Sequence, residues 1–193
     1  MLQRDRDFEH YQDDGVFYEK RPTAWIEPVG DWGDGAVTLV ELPTDTETSD
    51  NIVAFWSPAG PAKKGRRFDI AYRLRWIADE PLAAGVARVI ALRRGAGGRP
   101  GHPPLAGVTK IVVDFHGASL VGLDRKSGVV ADLDVARGTA ATPVAYPVVG
   151  RPDIWRFMAD VTPAGTEPVD LRVVLRRQGR ALTEVCVTQL FPD

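Results

Sequence analysis

Carboxylates interleaved with aromatic rings are the chemistry-bearing feature of this sequence, and they gather in its first third. Gln3-Arg4-Asp5-Arg6-Asp7 alternates charge, and Tyr11-Gln12-Asp13-Asp14, Tyr18, Arg21-Pro22, Trp25-Ile26-Glu27-Pro28 and Asp31-Trp32-Gly33 follow. Glu47-Thr48-Ser49-Asp50-Asn51 then precedes Phe55-Trp56. Sugars call for this mixture. Their C–H faces stack on Trp and Tyr, and their hydroxyls hydrogen-bond to Asp, Glu, Gln, Asn and Arg. Cleavage of a glycosidic bond adds the need for two carboxyl groups, one of them protonated. Taken singly, each residue has a plainer explanation. Asp and Arg close in sequence form surface ion pairs, and Trp25, Trp32 and Trp56 fill cores. The density of the whole set favours a saccharide site.

Asp50 is the most pointed candidate. It ends a polar loop directly before the apolar run Ile52–Trp56. A carboxyl there is expected at a cleft wall beside aromatic rings, where desolvation favours the protonated form of a carboxylic acid. The simpler reading, an Asp-Asn turn before a strand, is the one the residues favour by themselves.

Other chemistries find no support. There is no P-loop, and Gly95-Ala96-Gly97-Gly98 falls in a strand-to-strand loop rather than before a helix. His10, His102 and His116 share no metal-ligand spacing, and Cys186, the one cysteine, lies in an apolar stretch as a small buried side chain. No G-x-S-x-G elbow occurs. No metal or organic cofactor is expected. The formal net charge is −2, but residues 1–50 hold 13 acids and 4 bases while the remainder holds 13 acids and 20 bases. The bases alternate along strands without a recognition helix, so nucleic acid is not an expected partner. No apolar run reaches membrane-spanning length. Met1-Leu2-Gln3-Arg4-Asp5 passes straight into charged sequence without a signal peptide, so a piece of a longer protein is expected.

The elements that must position these residues read as strands. Residues 1–34 are irregular, with a short helical turn near Asp7–Asp13. Ala36–Leu42 and Asn51–Trp56 are strands, and Ser57–Gly65, rich in Pro, Gly and Lys, is the expected domain boundary. Phe68–Trp76 alternates at period 2, with one face buried and one wet. Ala87–Leu92, Lys110–Phe115, Val129–Val135, Ala140–Val149, Ile154–Val161, Val169–Arg177 and Ala181–Leu190 complete the set, with a tight hairpin at Gln178-Gly179. The fold class is therefore all-β. Domain 1–60 carries the candidate chemistry, and domain 61–193 is an immunoglobulin-like β-sandwich.

Three runs carry a family resemblance: Gln3–Asp13 (QRDRDFEHYQD), Tyr18–Gly35 (YEKRPTAWIEPVGDWGDG) and Val40–Trp56 (VELPTDTETSDNIVAFW). Tyr72–Trp76 (YRLRW) and the closing VDLRVVLRRQG and LTEVCVTQLFP extend it more loosely. The chain resembles the periplasmic glucans biosynthesis proteins (OpgG/OpgD, also MdoG/MdoD). The resemblance implies that residues 1–60 are the terminal segment of a larger galactose-mutarotase-like β-sandwich domain. It also implies a periplasmic location and work on osmoregulated glucans with β-1,2-linked backbones, similar to an inverting endo-β-1,2-glucanase. Asp50 then matches the general acid and Tyr18 a tyrosine that supports catalysis. Trp25, Trp32 and Trp56 are stacking candidates. Arg6, Asp7, Gln12, Arg21 and Glu27 are candidates for hydroxyl contacts or for orienting Asp50. The base-side carboxylate lies upstream of the segment present here. Some members carry an insertion that reaches a neighbouring subunit's cleft. The corresponding Arg93–Gly107 is shorter, and its Gly/Pro content reads as a flexible loop. Partners implied are a β-glucan, a homodimer and a membrane-bound glucan synthase. The rival expectation is a non-catalytic glucan-binding or scaffold fragment, and sandwich edges left open by a missing half predict self-association.

Overall fold

The computed structural model describes residues 4–46, 48–78 and 85–192. It is almost entirely β, as expected from the period-2 patterning, and divides into two compact units, Met1–Pro81 and Leu82–Asp193. The division falls later than the Ser57–Gly65 linker because the strand after that linker returns to the first unit. Ala71–Ile77 (β4) pairs antiparallel with Thr23–Val29 (β1) over its whole length, from Thr23 opposite Ile77 to Val29 opposite Ala71. It therefore does not open the second domain.

The first unit holds two such ribbons. Gly35–Glu41 (β2) and Ile52–Pro58 (β3) form the other, with Gly35 opposite Pro58 and Glu41 opposite Ile52. The alternation read in β4 is present, but neither of its faces is buried: Tyr72, Leu74 and Trp76 are exposed. Val37, at 80% exposure, shows the same for β2. Before β1 the chain makes one short helix, Phe8–Tyr11, and a 3-10 turn, Tyr18–Lys20.

The second unit is a β-sandwich. One sheet runs β5-β6-β9-β8, formed by Arg88–Ala96 (β5), Thr109–His116 (β6), Gly138–Val148 (β8) and Arg151–Pro163 (β9). In the other, Val169–Arg177 (β10) pairs with Val129–Val135 (β7) on one side. On its other side it pairs with Arg180–Ala181 (β11) and Cys186–Leu190 (β12). Alternate residues of the two sheets meet in one core. Val113 and Phe115 of β6, Trp155 and Phe157 of β9, and Val173 and Leu175 of β10 are all buried. Each large side chain sunk there contributes about 1.5–3 kcal/mol. Cys186 is buried at the same core. The hairpin at Gln178-Gly179 places both residues at positive φ, 51° and 77°, which fits a tight two-residue β-turn.

The outward face of the first sheet carries two buried carboxylates, Asp114 and Asp160. Asp114 accepts two hydrogen bonds from Arg156, at 2.7 and 2.8 Å, and one from Arg93 at 2.8 Å. The Arg156 contact is the main cause holding the Asp114 carboxyl below its ordinary value. Arg93–Gly107 is not a loop throughout, because its first four residues are strand. Strand β5 runs through Ala96, and the connection that follows is braced by Leu105 N–H to Gly97 O (3.1 Å) and Gly98 N–H to Asp160 Oδ2 (3.2 Å). Asp160 is itself paired with Lys110.

Candidate functional site

The N-terminal segment is built from local caps and one long reach. Asp7 Oδ1 accepts from Glu9 N–H at 3.0 Å and so caps the short helix. Gln12 closes it with φ 50°, its N–H donating to Phe8 O at 2.7 Å. Both residues thus have local structural work. Asp5 pairs with His10 Nδ1 at 2.8 Å; its backbone bond from Asp7 and its side-chain bond to His10 lower the carboxyl, while Asp5 raises the imidazole. Phe17, at φ 52°, turns the chain into the Tyr18–Lys20 turn. The Arg21 guanidinium then lies 4.2 Å over the Tyr18 ring, and the Tyr11 ring is 6.2 Å from that of Tyr18. Arg6 reaches across: its Nη1 donates to Glu19 O at 3.1 Å and to Arg21 O at 3.0 Å. Arg6, Tyr18 and Arg21 therefore form one cluster.

Glu19 belongs to that cluster and was not nominated from the sequence. Within Tyr18-Glu19-Lys20-Arg21 it reads as one more solvated charge, yet it is only 7% exposed. No residue type around it signals that burial, since Val16, Phe17 and Ile26 are themselves exposed.

The three tryptophans also converge. Trp32, in the loop after β1, donates Nε1–H to Ala71 O at 2.9 Å and meets Trp56 of β3 edge-on at 5.5 Å and Tyr72 of β4 at 6.3 Å. It thereby ties the two ribbons together. Trp25, Trp32 and Trp56 line one largely apolar cavity of about 550 Å3, with Phe55 and Tyr72. Rings so placed suit the C–H face of a pyranose, though Trp32 and Trp56 already spend part of their surface on each other. Glu27 faces β4 and is engaged there, with Arg73 Nη1 at 3.3 Å and Arg75 Nη2 at 3.1 Å.

Asp50 lies near the end of the connection between β2 and β3. The loop ahead of it is braced by hydroxyls: Thr46 Oγ1 and Ser49 Oγ are 2.6 Å apart, Thr44 Oγ1 accepts from Thr46 N–H at 3.1 Å, and Leu42 N–H donates to Asn51 O at 2.7 Å. Asp50 itself is exposed, and its carboxyl makes no hydrogen bond or ion pair among the described residues. Glu47, part of the same motif, lies outside the described residues. Among the described residues no cluster of His, Cys, Asp and Glu could hold a metal ion, and no helix is long and apolar enough to cross a membrane.

The family described as "Periplasmic glucan biosynthesis protein, MdoG" matches residues 1–190. Glucans biosynthesis protein D 2 of Ralstonia nicotianae is 47% identical over 193 residues. Glucans biosynthesis protein D is 45% identical over 196 residues in Xanthomonas oryzae and 44% over 194 residues in Stenotrophomonas maltophilia. Each alignment covers all of this chain and 36% of the relative's length. With the family match running through every element described above, the chain belongs to the periplasmic glucan biosynthesis protein family.

Proposed function

We propose that this chain carries the general-acid side of a β-1,2-glucan-processing site, of the inverting endo-glucanase type, in the periplasm. The observation that carries the reading is the contrast among carboxylates. Asp7 caps a helix and Glu27 is paired with two arginines, whereas Asp50 is presented to solvent on a braced loop with its carboxyl uncommitted. In this reading Asp50 protonates the leaving glycosidic oxygen while a base activates water on the opposite face of the sugar. Tyr18, held under Arg21, supports that step from its own turn. Trp25, Trp32 and Trp56 offer stacking surfaces, and Arg6, Gln12 and Arg21 polar groups at the segment's edge. The base comes from the portion of the longer relatives that this chain does not span. Residues 1–60 and the strand β4 then correspond to the last part of a larger catalytic sandwich, followed by an immunoglobulin-like domain. A second copy and a membrane-bound glucan synthase are the protein partners this reading calls for.

A second reading, a glucan-binding or scaffold portion without turnover, draws on the exposed apolar faces of the two ribbons. Incubation with linear β-1,2-glucan, beside an Asp50→Asn control, separates the two. New reducing ends that vanish in the control support the acid role. Equal release from both chains would remove Asp50 from the chemistry, and binding without release from either would favour the scaffold.

A further inference from the structure

We infer that Glu19 is a positioning residue for Tyr18 and acts through Arg6; the inference rests on the reading that Tyr18 serves the glucan site. Glu19 is 7% exposed, and its Oε2 has no hydrogen-bond partner among the described residues. The Nη2 of Arg6 is also buried and without a partner among them. These two unmet groups belong to residues that meet at one turn, where Arg6 Nη1 donates to the main-chain oxygen of Glu19. A guanidinium stays charged at any ordinary pH, so drawing it out of water needs a compensating anion. Glu19 is the acid carried on the very turn that Arg6 grips. The other cation at Glu19, Lys20, is 3.7 Å away and 70% exposed, where a pair contributes little.

The consequence falls on Tyr18. A single nitrogen of Arg6 holds the carbonyls of Glu19 and Arg21. Those carbonyls fix the path of the chain from Tyr18 to Arg21, and with it the guanidinium that lies over the Tyr18 ring. Remove the negative charge of Glu19 and Arg6 is left as a partly buried, uncompensated cation, which relaxes toward water and releases both carbonyls. Glu19 is too enclosed to touch a saccharide, so its effect on the site is indirect.

The test is read without substrate, by NMR of the full 193-residue chain. The Tyr18 ring shifts the side-chain protons of Arg21 upfield. In Glu19→Gln these protons and the Tyr18 ring signals should return more than halfway to random-coil positions, while the indole signals of Trp32 and Trp56 stay in place. Glu19→Asp, which keeps the charge, should restore part of the shift. Arg6→Lys, which keeps charge but loses the two-carbonyl grip, should repeat the loss. Unchanged Tyr18 and Arg21 signals in Glu19→Gln would overturn the inference. So would collapse of the Trp32 and Trp56 signals in both Glu19→Gln and Arg6→Lys, because Glu19 would then serve the unit's stability at large. Failure of the wild-type chain to act on glucan counts against the proposed function alone and leaves this readout standing.

Discussion

Asp114 and Asp50 are both strand-associated aspartates, and they make opposite demands on the protein. Asp114 is buried beneath two arginines, so Asp114→Asn leaves Arg93 and Arg156 without their counter-charge. The expected loss is about 2 kcal/mol, discounted from a fully buried pair because both arginines are partly exposed. The pH dependence follows from the lowered carboxyl. Its contribution is fully present above the ordinary carboxylate value near 3.8 and is lost as pH falls through the lower folded value. Urea midpoints of wild type and Asp114→Asn should therefore differ by a constant amount from about pH 5 to 7 and converge in more acid solution. Asp50→Asn, on an exposed group without a partner among the described residues, should change stability by no more than about 0.5 kcal/mol, so any loss of turnover in that variant is chemical. At this scale the sequence exposes residue types well and their engagements poorly. Glu27 and Asp50 look equally available when read in order. Only the pairing of β1 with β4 shows that two arginines, 46 and 48 positions further on, already hold Glu27.

Strands with regular alternation were legible almost to the residue. Val129–Val135 and Val169–Arg177 stand where the pattern puts them, since each has one face in the sandwich core to enforce the period. β1 was not legible. Thr23–Val29 contains Pro28 and follows Pro22, and proline next to a short run reads as loop. The closing run Ala181–Leu190 was read as one strand but is split into β11 and β12, with Thr183 turned inward: its hydroxyl accepts from Leu175 N–H at 3.0 Å. Among the ribbons, Gly35 is the position with least room. A Cβ there would stand 2.6 Å from the Trp56 ring and 2.6 Å from Ser57 O. Gly35→Ala should therefore push the Trp56 ring off Trp32. The expected cost is about 1–3 kcal/mol, with a weakened near-ultraviolet circular dichroism signal from the tryptophan pair.

The whole molecule is unequal in its two parts. The second unit owns a continuous core drawn from both sheets, while the first has two ribbons of two strands each, an arrangement that is marginal in water by itself. Residues 85–193 expressed alone should fold with dispersed amide signals and a cooperative melt. Residues 1–78 alone should bind a hydrophobic dye and self-associate through Val37, Leu74, Trp76 and their neighbours. A cooperative, dye-free monomer from residues 1–78 would contradict this. Here too the sequence informs only in part. Composition cannot tell a strand buried by its own unit from one whose cover lies elsewhere, because both are equally apolar.

The parallel bridge between Ala87 and Thr183 has a mechanical consequence. Ala87 lies near the start of the second unit and residues 182–184 near its end. They are joined by Ala87 N–H to Leu182 O (2.9 Å), Glu184 N–H to Ala87 O (2.8 Å) and Val89 N–H to Glu184 Oε1 (2.6 Å). Because the two segments run in the same direction, tension applied at the unit's ends slides them past one another. The three bonds are then loaded together in shear and do not open one at a time. Stretching in an optical trap should give a single abrupt rupture, at a force that falls when Glu184→Ala removes one of the three.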